Sequence, residues 1–129
     1  MQKYDDFRDL EVWQQCREIR KDCWVLCKTF PQEEKFRLAD QMIRASRSST
    51  SCIAEGYGRF HYQETIQYCR QARGSLYELI DHCDTAVECG YMNETQAEVL
   101  IGRIKNAIRL LNGYIRYLRE KKETSRLVE

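Results

Sequence analysis

Apolar residues recur at helical spacing in four stretches of the chain, and the residues that break helices fall between them. In the first stretch Val12, Cys16, Ile19, Cys23, Leu26 and Phe30 follow 4-3-4-3-4 spacing, one apolar seam on a helix face. Phe30-Pro31 stops it, because the residue before a proline is pushed out of the α region. Pro31 suits the first turn of a second helix, where Glu33 and Glu34 meet the positive end of the helix dipole. That helix carries Leu38, Met42, Ala45, Ser49 and Cys52 on one stripe, and Gly56-Tyr57-Gly58 ends it. In the third, Thr65, Cys69, Ala72, Leu76, Leu79, Cys83 and Ala86 keep the same spacing up to Gly90, the glycine expected just past a helix end. Asn93 with Gln96 reads as a capping box that opens a fourth helix. Its seam is Ala97, Ile101, Ile104, Ile108, Leu111, Ile115 and Leu118.

The pattern predicts helices over about 9–29, 32–55, 61–89 and 93–122, with 123–129 a disordered tail. The last helix would be about 45 Å long at 1.5 Å per residue. Four long helices with short links make an all-α, up-down-up-down bundle spanning residues 1–129 as one domain. The stripes are wider than one seam requires: Trp13, Trp24 and Cys27 lie off the face of the first helix, and Ile43 and Ile53 off that of the second. Either the core-facing stripe is broad, as in most globular bundles, or a second apolar face packs between subunits.

Composition narrows the class. One proline and six glycines are too few for an all-β chain cut by frequent turns, and 43% hydrophobic residues are too many for disorder. No apolar run approaches the ~18 residues of a membrane helix, and the acidic start lacks a signal-peptide core, so the expected location is cytoplasmic, with no membrane partner. Seven cysteines without a Cys-x-x-Cys read as free thiols packed as small apolar residues.

A formal charge of +1 argues against nucleic acid until it is divided along the chain. Residues 35–75 hold seven basic and three acidic side chains, residues 76–100 none and six, and residues 101–129 eight and three. On the fourth helix Lys105, Arg109, Asn112, Arg116 and Arg119 keep 4-3-4-3 spacing beside the apolar seam, and Lys121 and Lys122 extend the positive end. Arg44, Arg47 and Arg59 on the second helix, and Arg70 and Arg73 on the third, add to it. The third helix carries the acidic run Glu78, Asp81, Asp84 and Glu88. Basic and acidic faces of this kind either pair with one another, across helices or subunits, or present arginine forks to phosphate.

Catalytic and metal motifs do not assemble. Neither His61 nor His82 has the preceding glutamate of a di-iron Glu-x-x-His motif. Cys23 and Cys27, with His82 or Cys83, are candidate metal ligands by type, yet they sit at core-like positions. Glu55 and Glu64 flank the glycine pair without a nucleophile or base, and Gly56-x-Gly58 lacks the third glycine and the strand of a phosphate loop. No base-stacking motif is evident. The chain is expected to be no enzyme and to hold neither cofactor nor metal.

Several short motifs together resemble a known family. Phe7-Arg-Asp-Leu10-Glu-Val-Trp13, Phe30-Pro31, Gln41-Met-Ile-Arg44-Ala45-Ser-Arg-Ser48, Ile53-Ala-Glu-Gly56, Gly58-Arg59, Ala72-Arg-Gly-Ser75, Glu78-Leu79 and Gly90-Tyr91 are similar to those of the four-helix-bundle proteins encoded in intervening sequences of bacterial large-subunit ribosomal RNA genes. The likeness spans about residues 7–118; Cys52, Ser49 and Ile43 depart from the Asn, aliphatic and Arg residues usual there. The resemblance implies a homopentameric barrel with a central pore, and it does not imply an enzyme. It is similar also to the accessory proteins of diversity-generating retroelements, which implies RNA and a reverse transcriptase as partners met through a basic surface. The expectation is thus a homo-oligomeric nucleic-acid-binding accessory protein, contacting phosphates first through Arg109, Arg116, Arg119, Lys121 and Lys122, then through Lys105, Arg44, Arg47 and Arg59. The competing expectation is a protein-interaction scaffold whose charged faces pair with each other.

Overall fold

Four α-helices account for nearly all of residues 6–128, the part of the chain that the computed structural model describes: α1 (Glu11–Cys27), α2 (Leu38–Gly58), α3 (Tyr62–Glu88) and α4 (Glu94–Val128). No strand occurs among the described residues. Each helix packs on its two neighbours in the order α1, α2, α3, α4 and back to α1, and the backbones of the diagonal helices stand farther apart. Cross-helix bonds fix the antiparallel sense: Arg20 to Thr50 between α1 and α2, Ser75 to Ser48 between α3 and α2, Arg73 to Asn112 between α3 and α4, and Arg103 to Asp22 between α4 and α1.

The seams meet in the middle. Val12, Cys16, Ile19 and Cys23 of α1, Thr65 to Ala86 of the α3 stripe, and Ile104, Ile108, Leu111, Ile115 and Leu118 of α4 are all buried. Along α2 the stripe is polar as well as small. Ser46, Ser49 and Thr50 are buried, each hydroxyl donating to the carbonyl three residues back, at 2.9, 2.7 and 2.9 Å. Their small volume lets neighbouring backbones approach without leaving a polar group unpaired.

Three boundaries differ from the expectation. Pro31 does not open α2; it precedes a separate 3₁₀ turn at Gln32–Glu34, and α2 starts only at Leu38, after Arg37 leaves the helical region at φ −122°, ψ −110°. Gly56 does not end α2. A Cβ there would lie 2.6 Å from Tyr68 Cβ, and the Gly56 carbonyl accepts from the Thr65 hydroxyl at 2.8 Å, so this glycine is where α2 and α3 come closest. The expected disordered tail is instead helical through Val128, with Glu129 outside the described residues. No glycine or proline follows Gly113, and Lys122 ties the extension to α3 through Gln63 at 2.7 Å.

Local capping follows the sequence where it is explicit. Asn93 and Gln96 bond reciprocally, the Asn93 amide donating to Gln96 Oε1 at 3.0 Å and the Gln96 amide to Asn93 Oδ1 at 2.8 Å. Gly90 adopts φ +77°, and the amides of Tyr91 and Gly90 donate back to the carbonyls of Ala86 and Val87, a Schellman ending for α3.

Candidate nucleic-acid interface

The α3/α4 face is built by register. Arg73 donates to Asn112 Oδ1 at 2.7 Å and Lys122 to Gln63 Oε1 at 2.7 Å, so residue pairs whose numbers sum to 185 stand level on the two helices. Arg70 is then level with Ile115, beside Arg116, and Tyr77 with Ile108, beside Arg109. Lys105, Arg109, Arg116 and Arg119 are exposed on this side of α4, facing outward beside α3. Arg70 is exposed and Arg73 half-buried on the neighbouring helix. Among the described residues, none of these six cations has a carboxylate partner; Arg109 donates only to Asn106. From Lys105 to Arg126 the row runs about 30 Å at 1.5 Å per residue.

Other cations expected at the site lie elsewhere. Arg44 and Arg47 are on α2, diagonally across the bundle from α4. Arg44 pairs with Asp40 at 3.0 Å, and the Arg47 guanidinium lies 5.7 Å from the Trp24 ring on α1. Arg59, at the end of α2, donates to Glu55 at 3.1 Å and to the Tyr68 hydroxyl at 2.7 Å. The Tyr68 hydroxyl and the Arg59 guanidinium both donate to Glu55, holding its carboxyl below the usual carboxylate range. Lys121 turns toward α1 and stands over the Tyr117 ring at 5.7 Å, and Tyr117 lines a groove with Leu10 and Val12. Lys122, half-buried, points into the α3 side. The nine cations thus divide into a four-residue row on α4 and scattered, mostly occupied positions, because neighbours across helices depend on bundle order, which spacing within one helix does not encode.

Acidic side chains occupy the opposite end of the same face. Asp81, Asp84 and Glu88 are exposed on α3 beyond the arginines, while Glu78 lies on the α2 side of the helix and bonds His82 at 2.9 Å. The face is therefore dipolar along its length.

Two aromatic residues were missed in the sequence reading. Tyr77 is exposed beside the arginine row. Phe60 is 72% exposed in the turn between α2 and α3. A Phe-His-Tyr run placed between two helices is the sequence signal that would have found the second.

Cys16, Cys23, Cys27, Cys69 and Cys83 are core residues, Cys52 is half-buried and Cys89 is exposed. Burial pushes Cys16 and Cys27 up to about 11, and Cys69 and Cys83 up to about 12, so all four are neutral at physiological pH. Among the described residues no three His, Cys, Asp or Glu side chains are grouped to hold a metal. No helix there is long and apolar enough to cross a membrane.

An up-down four-helix bundle with one unpaired basic face defines the class. Residues 8–113 match the 23S rRNA-intervening sequence protein family, and the chain belongs to that family. Its fold is similar to that of a crystal structure from Bacteroides thetaiotaomicron VPI-5482, a protein with unknown function from the S23 ribosomal protein family. That likeness has a TM-score of 0.75 at 20% identity and covers 81% of this chain and 95% of the other. No curated protein matches the chain.

Proposed function

We propose that the chain is a non-enzymatic, self-assembling nucleic-acid-binding protein whose α3/α4 face grips the phosphate backbone, with RNA as its target. One observation carries this reading: Arg70, Arg73, Lys105, Arg109, Arg116 and Arg119 share a face, and among the described residues none of them is ion-paired with a carboxylate. Guanidinium groups satisfied internally have little left for a phosphate; these retain nearly all of their donors. Self-assembly is supported by apolar surface on both sides of α1: Trp24, Val25 and Phe36 toward α2, Val99 toward α4. Two unlike patches on one subunit suit a head-to-tail contact, and such contacts close into rings, a pentamer being the size that the family likeness suggests. An accessory role beside an RNA-handling enzyme such as a reverse transcriptase fits a protein that holds RNA without acting on it.

The test is the salt dependence of binding, measured by fluorescence anisotropy with a labelled structured RNA. Neutralising about five phosphates gives a slope of log K on log salt near −3.5 to −4.5, a loss of about 100-fold or more between 50 and 200 mM. No binding at 50 mM salt rejects the proposal.

The dipolar face favours one other reading, a scaffold in which the acidic end of α3 pairs with the basic row of a second copy. The Arg109→Glu, Arg116→Glu, Arg119→Glu triple variant separates the two. A dissociated oligomer supports the scaffold; an intact oligomer that has lost RNA supports phosphate binding.

A further inference from the structure

The basic row on α4 does not end in open solvent. Past Arg119 it continues through Lys122 to Arg126 at 3-4 spacing, and both line a cavity of about 310 Å³ at the α2–α3 corner, together with Phe60, His61, Tyr62, Gln63 and Ser125. That volume is at the small end of ligand pockets, room for one nucleotide and not for a duplex. Phe60 is the only non-glycine residue among those described with a positive φ, +53°. It occupies the position after the α2 C-cap, where glycine normally serves, and a bulky side chain there is strained. The strained backbone places the ring outward, 6.1 Å from the buried Tyr57 ring and largely exposed.

We propose that this corner receives an unpaired nucleotide of the bound RNA: its base stacks on Phe60 and its phosphate meets Lys122 and Arg126. The inference rests on the RNA-binding reading above and extends it from phosphate contact to a preference for single-stranded ends. Each component suits that ligand. A π-face accepts any base, so stacking adds affinity with little sequence preference. Lys122 spends one N–H on Gln63 at 2.7 Å and keeps two. Arg126 is engaged only by Glu123, at 3.6 Å in an exposed pair that is cheap to open. The exposed His61 side chain makes no capping hydrogen bond at the start of α3 and lines the cavity, presenting an edge to a base or a ribose hydroxyl. The three elements come from different parts of the sequence, and only the antiparallel register of α3 and α4 unites them.

The experiment uses the full chain and three probes: a blunt RNA duplex, the same duplex with a two-nucleotide overhang ending in 2-aminopurine, and free AMP. The overhang duplex is expected to bind about five-fold or more tighter than the blunt one, with quenching of the 2-aminopurine as it stacks. Phe60→Gly, which suits the backbone, should abolish both the preference and the quenching while blunt-duplex affinity stays unchanged; Phe60→Tyr should retain both. The paired Lys122→Ala, Arg126→Ala variant should reduce overhang binding more than blunt binding. Equal affinity for the two duplexes, or quenching that survives in Phe60→Gly, overturns the inference and leaves the arginine face standing. Relief of the quenching by AMP at concentrations matching the overhang's own affinity overturns it in favour of a free-nucleotide site. Failure of every RNA to bind at 50 mM salt overturns both readings together.

Discussion

The α1/α2 face and the α3/α4 face carry similar numbers of cations and treat them in opposite ways. On the first, Arg17 and Lys21 share Glu18, Arg44 pairs with Asp40, Arg20 bonds Thr50 at 3.0 Å, and Arg47 and Lys28 lie over Trp24. On the second, none of the six cations is ion-paired among the described residues, and Asp81, Asp84 and Glu88 of α3 stand beyond the arginines. Stability does not explain the difference, since an exposed ion pair contributes only about 0–1 kcal/mol. The consequence is in the field. Paired charges cancel within a few ångströms, whereas a row of unpaired arginines projects a potential that a polyanion feels over a Debye length, about 8–10 Å in physiological salt.

Reversing charge on each face in turn is the strongest way to break the comparison. Arg109→Glu, Arg116→Glu and Arg119→Glu together should weaken RNA binding by about 100-fold or more at 50 mM salt, since each reversal removes one phosphate contact and adds a repulsion. Arg44→Glu with Arg47→Glu on the opposite face should change it by less than about three-fold. Anisotropy titrations of both variants, with circular dichroism to verify helicity, decide the matter; equal losses would mean that only net charge counts.

A milder change would convert one face toward the other. Asn112 lies between Arg109 and Arg116, three residues from one and four from the other, and already accepts from Arg73. Asn112→Asp gives all three a carboxylate, as Glu18 does for Arg17 and Lys21. The expected result is about a five- to ten-fold loss of RNA affinity and a salt slope shallower by about 1, with melting temperature unchanged or slightly raised. An unchanged slope would show that these arginines do not meet phosphate.

Phe60→Gly should act on stability in the other direction. Relief of a left-handed phenylalanine is worth about 1 kcal/mol, partly offset by the lost ring contact with Tyr57, so a melting point equal or a few degrees higher is expected by thermal denaturation. A fall of several degrees would make Phe60 a structural residue.

The core was legible in the sequence because burial selects the same chemistry once per turn, and the α3 seam from Thr65 to Ala86 is buried at every position. Helix ends were legible where a local device sets them, as at Gly90 and Asn93. They were illegible where tertiary contact sets them. Gly56 has the composition of a terminator but serves the close approach of Tyr68, and Pro31 permits a helix start that Arg37 delays. The candidate site was half legible for the same reason. The 4-3-4-3 row on α4 is a property of one helix, while its distance from Arg44 and Arg47, its alignment with Arg70 and Arg73, and its end beside Phe60 depend on which helices are neighbours.

The smallest effect is the sharpest probe of that geometry. Asp40→Asn with Glu18→Gln removes two acidic charges from the α1/α2 face, freeing Arg44, Arg17 and Lys21 without touching α3 or α4. The net charge rises by two, so an account based on total charge predicts tighter binding under all conditions. If only the α3/α4 face meets RNA, the freed cations lie across the bundle, more than one Debye length away at 150 mM salt, and affinity should change by less than about two-fold. At about 10 mM salt, where the screening length reaches about 30 Å, the same variant should bind faster, through steering of the encounter and not through new contacts. Stopped-flow association rates at the two salt concentrations distinguish these outcomes. A gain at 150 mM salt would mean that α1/α2 touches RNA as well, and the two faces would then differ in how much they bind and not in whether they do.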